Sequence, residues 1–195
     1  QLRDQAYYSK MLLEQEYNFD AEQTREYFPM QHVTQATMEI YQELLGLKFA
    51  QVQELRLGKM MFYSMRPEIQ NLIRCLDTSI LISMLEIEEG TCLSVKYFVK
   101  AKIEGQIHLP VVSMVTNFRK PTSEKPSLLA HEDVTTFFHE FGHIMHHMCT
   151  EANYTRFSGT SVERDFVELP SQMLENWMWD KSIIQKVSKH YETGE

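Results

Sequence analysis

The sequence predicts a mainly α-helical fold with a small β-sheet in its middle, and three observations carry that expectation. Apolar residues recur at helical spacing from residue 30 to 45 and again through HEDVTTFFHEFGHIMHHM, which begins at His131. Between these stretches, TCLSVKYFVKAKI and LPVVSMVTNF are rich in β-branched residues and alternate in part, as strands do. Finally, no run approaches eighteen uninterrupted apolar residues, so nothing is patterned to span a bilayer.

Residues 1–28 read as two helical pieces, the second capped by Asn18 or Asp20. Leu2, Tyr8, Leu12, Leu13 and Tyr17 form an irregular apolar stripe expected to pack on other helices. Pro29 opens a third helix that runs through Leu45, with Val33, Ala36, Ile40, Tyr41, Leu44 and Leu45 on one side and Gly46 as its stop. His32 reads as an ordinary helical residue. Residues 50–66 suit one or two short strands, whereas PEIQNLIRCLDTSILISMLEIEEG, from Pro67, has no clean period and stays open between helix and strand. Strand character returns from 91 to 118 with a break at Gly105. The turn-rich RKPTSEKPS then leads to a helix from about Ala130 to Cys149, with a second helix carrying Glu168 beyond it.

With 195 residues, 43% of them hydrophobic, the chain suits one domain with a sizeable core. A net charge of −8 and no dense basic cluster argue against a nucleic-acid partner. Cys75, Cys92 and Cys149 have no repeated spacing, so neither a disulfide framework nor a thiolate metal site is indicated, and reduced, intracellular cysteines are expected. The expected compartment is the cytoplasm, with mitochondria left open because Gln1 is not a start and a missing targeting signal then says nothing. Both ends read as cut. The apolar faces of Val33–Leu45 and Trp177–Val187 are accordingly expected to lack cover.

The chemistry centres on His139-Glu140-Phe141-Gly142-His143. Two imidazoles four residues apart on a helix share one face and can reach one metal ion. Neutral imidazole suits zinc, and a catalytic zinc takes three protein ligands with one position open for water. Glu140 is placed to act on that water as a general base. His146 and His147 follow His143 by three and four residues, and spacing alone would let His143 and His147 chelate, but only the pair His139 and His143 gives Glu140 its role, so His146 and His147 are assigned to packing or to contacts behind the ligands. Gly142 in mid-helix costs about 1 kcal/mol relative to alanine, which implies close approach of a backbone or a substrate. The third ligand belongs on another element. Glu168, flanked by Val167 and Leu169 and followed by Pro170, is the leading candidate, with Asp165, Glu163 and Glu175 as alternatives; Glu151 is also downstream. Salt bridges to Arg164 or Arg156 would account for Glu163 and Asp165.

FFHEFGHIMHHMC together with FSGTSVERDFVELPSQMLENWMWD resembles the catalytic core of the M3 family of zinc metallopeptidases, the thimet oligopeptidase and neurolysin group. EYFPMQHVTQATMEIYQELLGLKF and MVTNFRKPTSEKPSLLAHEDV resemble it too. The likeness is good over residues 24–49 and 111–182 and poor over 50–105, where Phe62-Tyr63-Ser64-Met65-Arg66 starts a family signature that then diverges.

The resemblance implies a zincin-like catalytic core with a small β-sheet, part of a larger helical fold. Residues 1–195 would then be a partial peptidase domain, helical over 1–49, mixed and divergent over 50–118, and zinc-binding over 119–195. It implies one Zn²⁺ per chain held by His139, His143 and Glu168, Glu140 as catalytic base, and Asp165 in support of the zinc site. It also implies short peptide substrates cut at internal bonds, and oxyanion-stabilising residues beyond Glu195. Val111–Phe118 would be the strand whose edge pairs with substrate, as in zincins generally. The competing expectation is a zinc-binding fragment with impaired catalysis, or a helical interaction module derived from such an enzyme.

Overall fold

Helix α4 (His131–Met148) is buried because its apolar residues do not keep to one stripe. Val134, Phe137, Phe138, Phe141, Ile144, Met145 and Met148 are each at most 2% exposed, and elements must pack on it from several directions. In this computed structural model the described residues are 4–17, 21–51, 71–75, 80–86, 93–98, 101–103, 106–108, 111–116 and 118–195. The helix occupies almost the predicted span. Asp133 caps it, accepting the Ala130 N–H at 2.7 Å, and Arg25 donates to the same carboxylate oxygen at 3.2 Å.

The first partner of α4 is α3 (Met30–Leu45), which begins after Pro29 and ends at Gly46 in the left-handed region (φ 67°), as predicted. Val33, Ala36, Ile40 and Tyr41 are buried. Tyr41 donates its hydroxyl to the Phe138 carbonyl at 2.9 Å, and its ring lies 4.7 Å from that of Phe141. Burial pushes the Tyr41 phenol well above its usual pKa, so it stays a neutral donor. Backbone hydrogen bonds from Met30 N–H to the Ser127 carbonyl and from Leu129 N–H to the Phe28 carbonyl, both 2.9 Å, tie the entry of α3 to that of α4.

On the other side lie α5 (Arg164–Val167), α6 (Leu169–Glu175) and α7 (Lys181–Val187). Helix α6 packs on α4. Helix α7 is capped by Asp180, whose carboxylate accepts from Ser182 and from the Ile183 N–H, contacts that hold its pKa below the usual value. It packs on α3, where His32 Nε2 meets the Lys186 carbonyl at 3.2 Å and the Lys186 ammonium meets Glu43 at 2.9 Å. The faces expected to lack cover therefore largely cover one another: Val33, Ala36, Ile40, Met178, Ile183 and Val187 are all buried. In α1 (Gln5–Tyr17) the reverse correction applies, since Tyr8, Leu12 and Tyr17 are 64%, 51% and 68% exposed. Their irregular spacing never forms one face. Helix α2 (Ala21–Thr24) is a single turn, and the proposed caps Asn18 and Asp20 lie outside the described residues.

Between α3 and α4 the described backbone consists of short extended runs: β1 (Phe49–Gln51), β2 (Asn71–Cys75), β3 (Ile80–Glu86), β4 (Leu93–Phe98), β5 (Ala101–Ile103), β6 (Gln106–His108) and β7 (Val111–Thr116). Gly105 and residues 52–66 lie outside the described residues, as does Pro67. The fold expectation is corrected here. The described side chains that close the core around α4 are essentially all from helices, so a small β-sheet as part of that core is not supported. Among the residues whose burial is described, the hydrophobic core apart from Val112 and Met114 comes from a helix or from the turns that enter one. A sheet stabilises a fold through the side chains of a buried face, and among the residues whose burial is described the extended runs contribute Val112 and Met114. Val111–Thr116 also fails as a substrate-binding edge: its backbone runs between β3, parallel, and β4, antiparallel, so both sides are already paired. Among the described residues no helix is long and apolar enough to cross a membrane.

Candidate metal centre

Helix α4 places His139 and His143 one turn apart, with ring centroids 4.8 Å from each other and ring planes at 84°. Both are partly buried, their side chains 21% and 12% exposed. Glu168 stands where α5 ends and α6 begins, with φ −85° and ψ −11°. From that junction its carboxylate reaches across to α4. Oε2 of Glu168 lies 3.2 Å from His139 Nε2 and 3.0 Å from His143 Nε2. One ligand atom from each of the three residues falls within 4.8 Å of the other two, a cluster that can hold a metal ion.

The donor set fits zinc. Two imidazoles and a carboxylate are among its usual catalytic ligands, and neighbours in a tetrahedron with bonds of about 2.0–2.1 Å stand roughly 3.3 Å apart. The two nitrogen–oxygen separations are close to that edge.

Gly142 makes the approach of α6 possible. A Cβ built there would lie 2.8 Å from the Ser171 Cα, so the backbone of α6 occupies the room that a side chain would need. The predicted close approach is thus with a backbone, and it brings α6 against α4 one residue before His143. Ser171 is fully buried, and its hydroxyl reaches the Glu168 carbonyl at 2.9 Å and Oε2 at 3.1 Å.

The alternative carboxylates separate clearly. Glu163 and Asp165 are exposed and form no ion pair among the described residues, so neither the salt bridges nor the supporting role expected of Asp165 is seen. Glu151 is exposed as well. Glu175 supplies the support: its Oε2 lies 2.7 Å from His139 Nδ1. A carboxylate on the far ring nitrogen fixes the tautomer, placing the proton on Nδ1 and leaving Nε2 free to ligate. From the sequence Glu175 is only a rival ligand; its place two turns beyond Glu168 is the available signal for a supporting role. His147 is buried against Gly159, whose φ is +58° and whose missing side chain leaves room for the imidazole. His146 lies against Phe166, ring centroids 6.1 Å apart. Burial, and then the neighbouring His143, lower the His146 pKa.

A cavity of about 500 Å³ opens on the His139 side of the cluster, lined by His131, Thr135, Thr136, Glu140, Glu175 and Trp179 as well as His139 itself. Glu140 therefore faces open space beside the cluster without being one of its donors.

The sequence profile of peptidase family M3 matches residues 1–80 and 81–195. This chain belongs to peptidase family M3. The match includes residues 50–105, where the motifs alone carry little likeness. Thimet-like oligopeptidase from Dictyostelium discoideum is 40% identical over 205 residues, covering 96% of this chain and 28% of that protein. Saccharolysin from Saccharomyces cerevisiae is 34% identical, covering 98% of this chain and 28% of its own length. Oligopeptidase A from Escherichia coli is 33% identical, with the same coverage of each. The chain thus spans a little over a quarter of these M3 relatives. The 205-residue alignment is longer than the 195-residue chain, so that relative has residues without a counterpart here.

Proposed function

We propose that this protein is a zinc-dependent endopeptidase of short peptides, with His139, His143 and Glu168 as the ligands of one zinc ion and Glu140 as general base. The observation that carries the reading is the convergence of two imidazole nitrogens on one carboxylate oxygen at 3.2 and 3.0 Å. Three protein donors leave a fourth position for water. Bound zinc would supply an acidified water and a polarised peptide carbonyl.

The chain's own residues do the rest. Glu140 follows His139 and borders the cavity in which a peptide would lie, so its carboxylate takes a proton from the attacking water and hands it to the leaving amine. Glu175 keeps the proton of His139 on Nδ1 and the ring turned toward Glu168. The relatives named oligopeptidases support short peptides as the substrate class.

The test replaces Glu140 by glutamine in the full-length protein. Glu140→Gln should retain one zinc per chain on metal analysis after dialysis, while cleavage of a quenched fluorescent peptide falls about 10²- to 10⁴-fold. His139→Ala and His143→Ala should lose both metal and cleavage. Equal loss of zinc in all three variants would make Glu140 a ligand or a structural support and remove it as the base.

A further inference from the structure

We infer that Ser171 is a positioning residue for the metal site, its hydroxyl holding the Glu168 carboxylate at the point where the two histidines meet. The inference rests on the reading of Glu168 as a ligand. Glu168 faces a difficulty the histidines do not: its side chain is 48% exposed, and an exposed glutamate gives up rotamer freedom to stay in one place. Something fixed must hold it. Ser171 is 0% exposed, and its Oγ lies 3.1 Å from Glu168 Oε2, the same oxygen that both Nε2 atoms face.

The hydroxyl also lies 2.9 Å from the main-chain oxygen of Glu168. One proton serves two acceptors, so whichever receives it, the carboxylate and the peptide of Glu168 are tethered to one buried atom. That atom is itself located by α4. Ser171 Cα sits where a Cβ on Gly142 would collide at 2.8 Å, and the Glu168 carbonyl also accepts the Gln172 N–H at 2.9 Å as α6 begins. The contacts close a loop: from Gly142 to the Ser171 backbone, through Oγ to Glu168 Oε2, and back to His139 and His143 on α4. Glu168 is thereby registered against the helix that carries the other two donors, although it comes from a junction between two short helices. A merely structural Ser171 would cap that junction and contribute to folding without acting on the metal.

The experiment measures zinc affinity of the full-length protein by competition with a chromophoric chelator, together with thermal unfolding of the metal-free form. Ser171→Ala should weaken zinc binding about 10- to 100-fold with little change in metal-free unfolding. In a Glu168→Ala background the same substitution should cost no further affinity, because the residue it acts through is gone. Unchanged affinity in Ser171→Ala, or the same fold-loss in both backgrounds, overturns the inference. Glu168→Ala binding zinc as tightly as the parent overturns the ligand reading and this inference with it, whereas Glu168→Ala weakening zinc while Ser171→Ala does not removes only the role of Ser171. Ser171→Cys, which keeps nearly the same volume with a weak donor, is carried in parallel and gives the same reading if the alanine variant does not fold.

Discussion

His139 is gripped at both ring nitrogens, and this distinguishes it from its partner. Its Nδ1 meets Glu175 at 2.7 Å and its Nε2 meets Glu168 at 3.2 Å, whereas Nδ1 of His143 is buried without a hydrogen-bond partner among the described residues. On the Nδ1 side the ring of His143 is therefore held by packing, and that of His139 by a carboxylate. Glu175→Ala should lower zinc affinity about 10- to 100-fold in competition dialysis, with Glu175→Gln less affected because an acceptor oxygen remains. Affinity unchanged in Glu175→Ala would mean that packing alone sets the His139 tautomer. Asp165, to which the family likeness pointed for this task, is exposed, and its replacement by asparagine should leave zinc affinity unaltered. Helix spacing points to the two histidines and Glu140, and the family likeness to Glu168. Neither could choose the supporting carboxylate, because that depends on which side of α6 faces α4.

At the level of elements, the contact of α4 with α6 sets the geometry of the site. Glycine at 142 gives up about 1 kcal/mol of helix propensity relative to alanine. Alanine there would regain it and yet meet the Ser171 Cα at 2.8 Å, a backbone atom that cannot rotate away. Overpacking of this kind costs about 1–3 kcal/mol, more than the propensity gain at most of that range. Gly142→Ala should thus lower the thermal midpoint and also weaken zinc binding, since displacing α6 carries Glu168 outward. A raised midpoint with zinc affinity intact would show that the two helices can separate without consequence. The glycine was conspicuous in the sequence, but its neighbour was not, because nothing local to residue 142 encodes the position of residue 171.

For the molecule as a whole, the faces expected to lack cover stay open only at their ends, at Leu44, Leu45, Trp177 and Trp179, and further exposed apolar residues precede Trp177 in the chain. Tyr154, Phe157, Phe166, Leu169, Met173 and Trp179 are between 46% and 73% exposed, all within residues 154–179, the stretch of chain that also carries Glu168. Contiguous apolar surface beyond a few hundred Å² favours association. The 195-residue chain by itself should therefore sediment as a concentration-dependent mixture, and zinc at about 100 times its dissociation constant should add roughly 2.7 kcal/mol to unfolding stability by linkage. A monomer at all concentrations, with no thermal shift on adding zinc, would contradict both expectations. The extended segments between α3 and α4 mark the other limit: β-branched composition suggests strands, yet among the residues whose burial is described the side chains that close the core belong almost wholly to helices.

What the sequence determined by itself was local and periodic. Spacing along one helix puts His139, Glu140 and His143 on usable faces of α4, Pro29 and Gly46 bound α3, and the motif's likeness to family M3 selects Glu168. What only the tertiary structure decided was which distant groups meet: Ser171 beneath Gly142, Glu175 behind His139, and α3 against α7 in place of two bare faces. The physical reason is that helix periodicity fixes directions within one element, whereas a contact between elements depends on how closely and at what angle two backbones approach. In this chain that approach is set by a missing side chain.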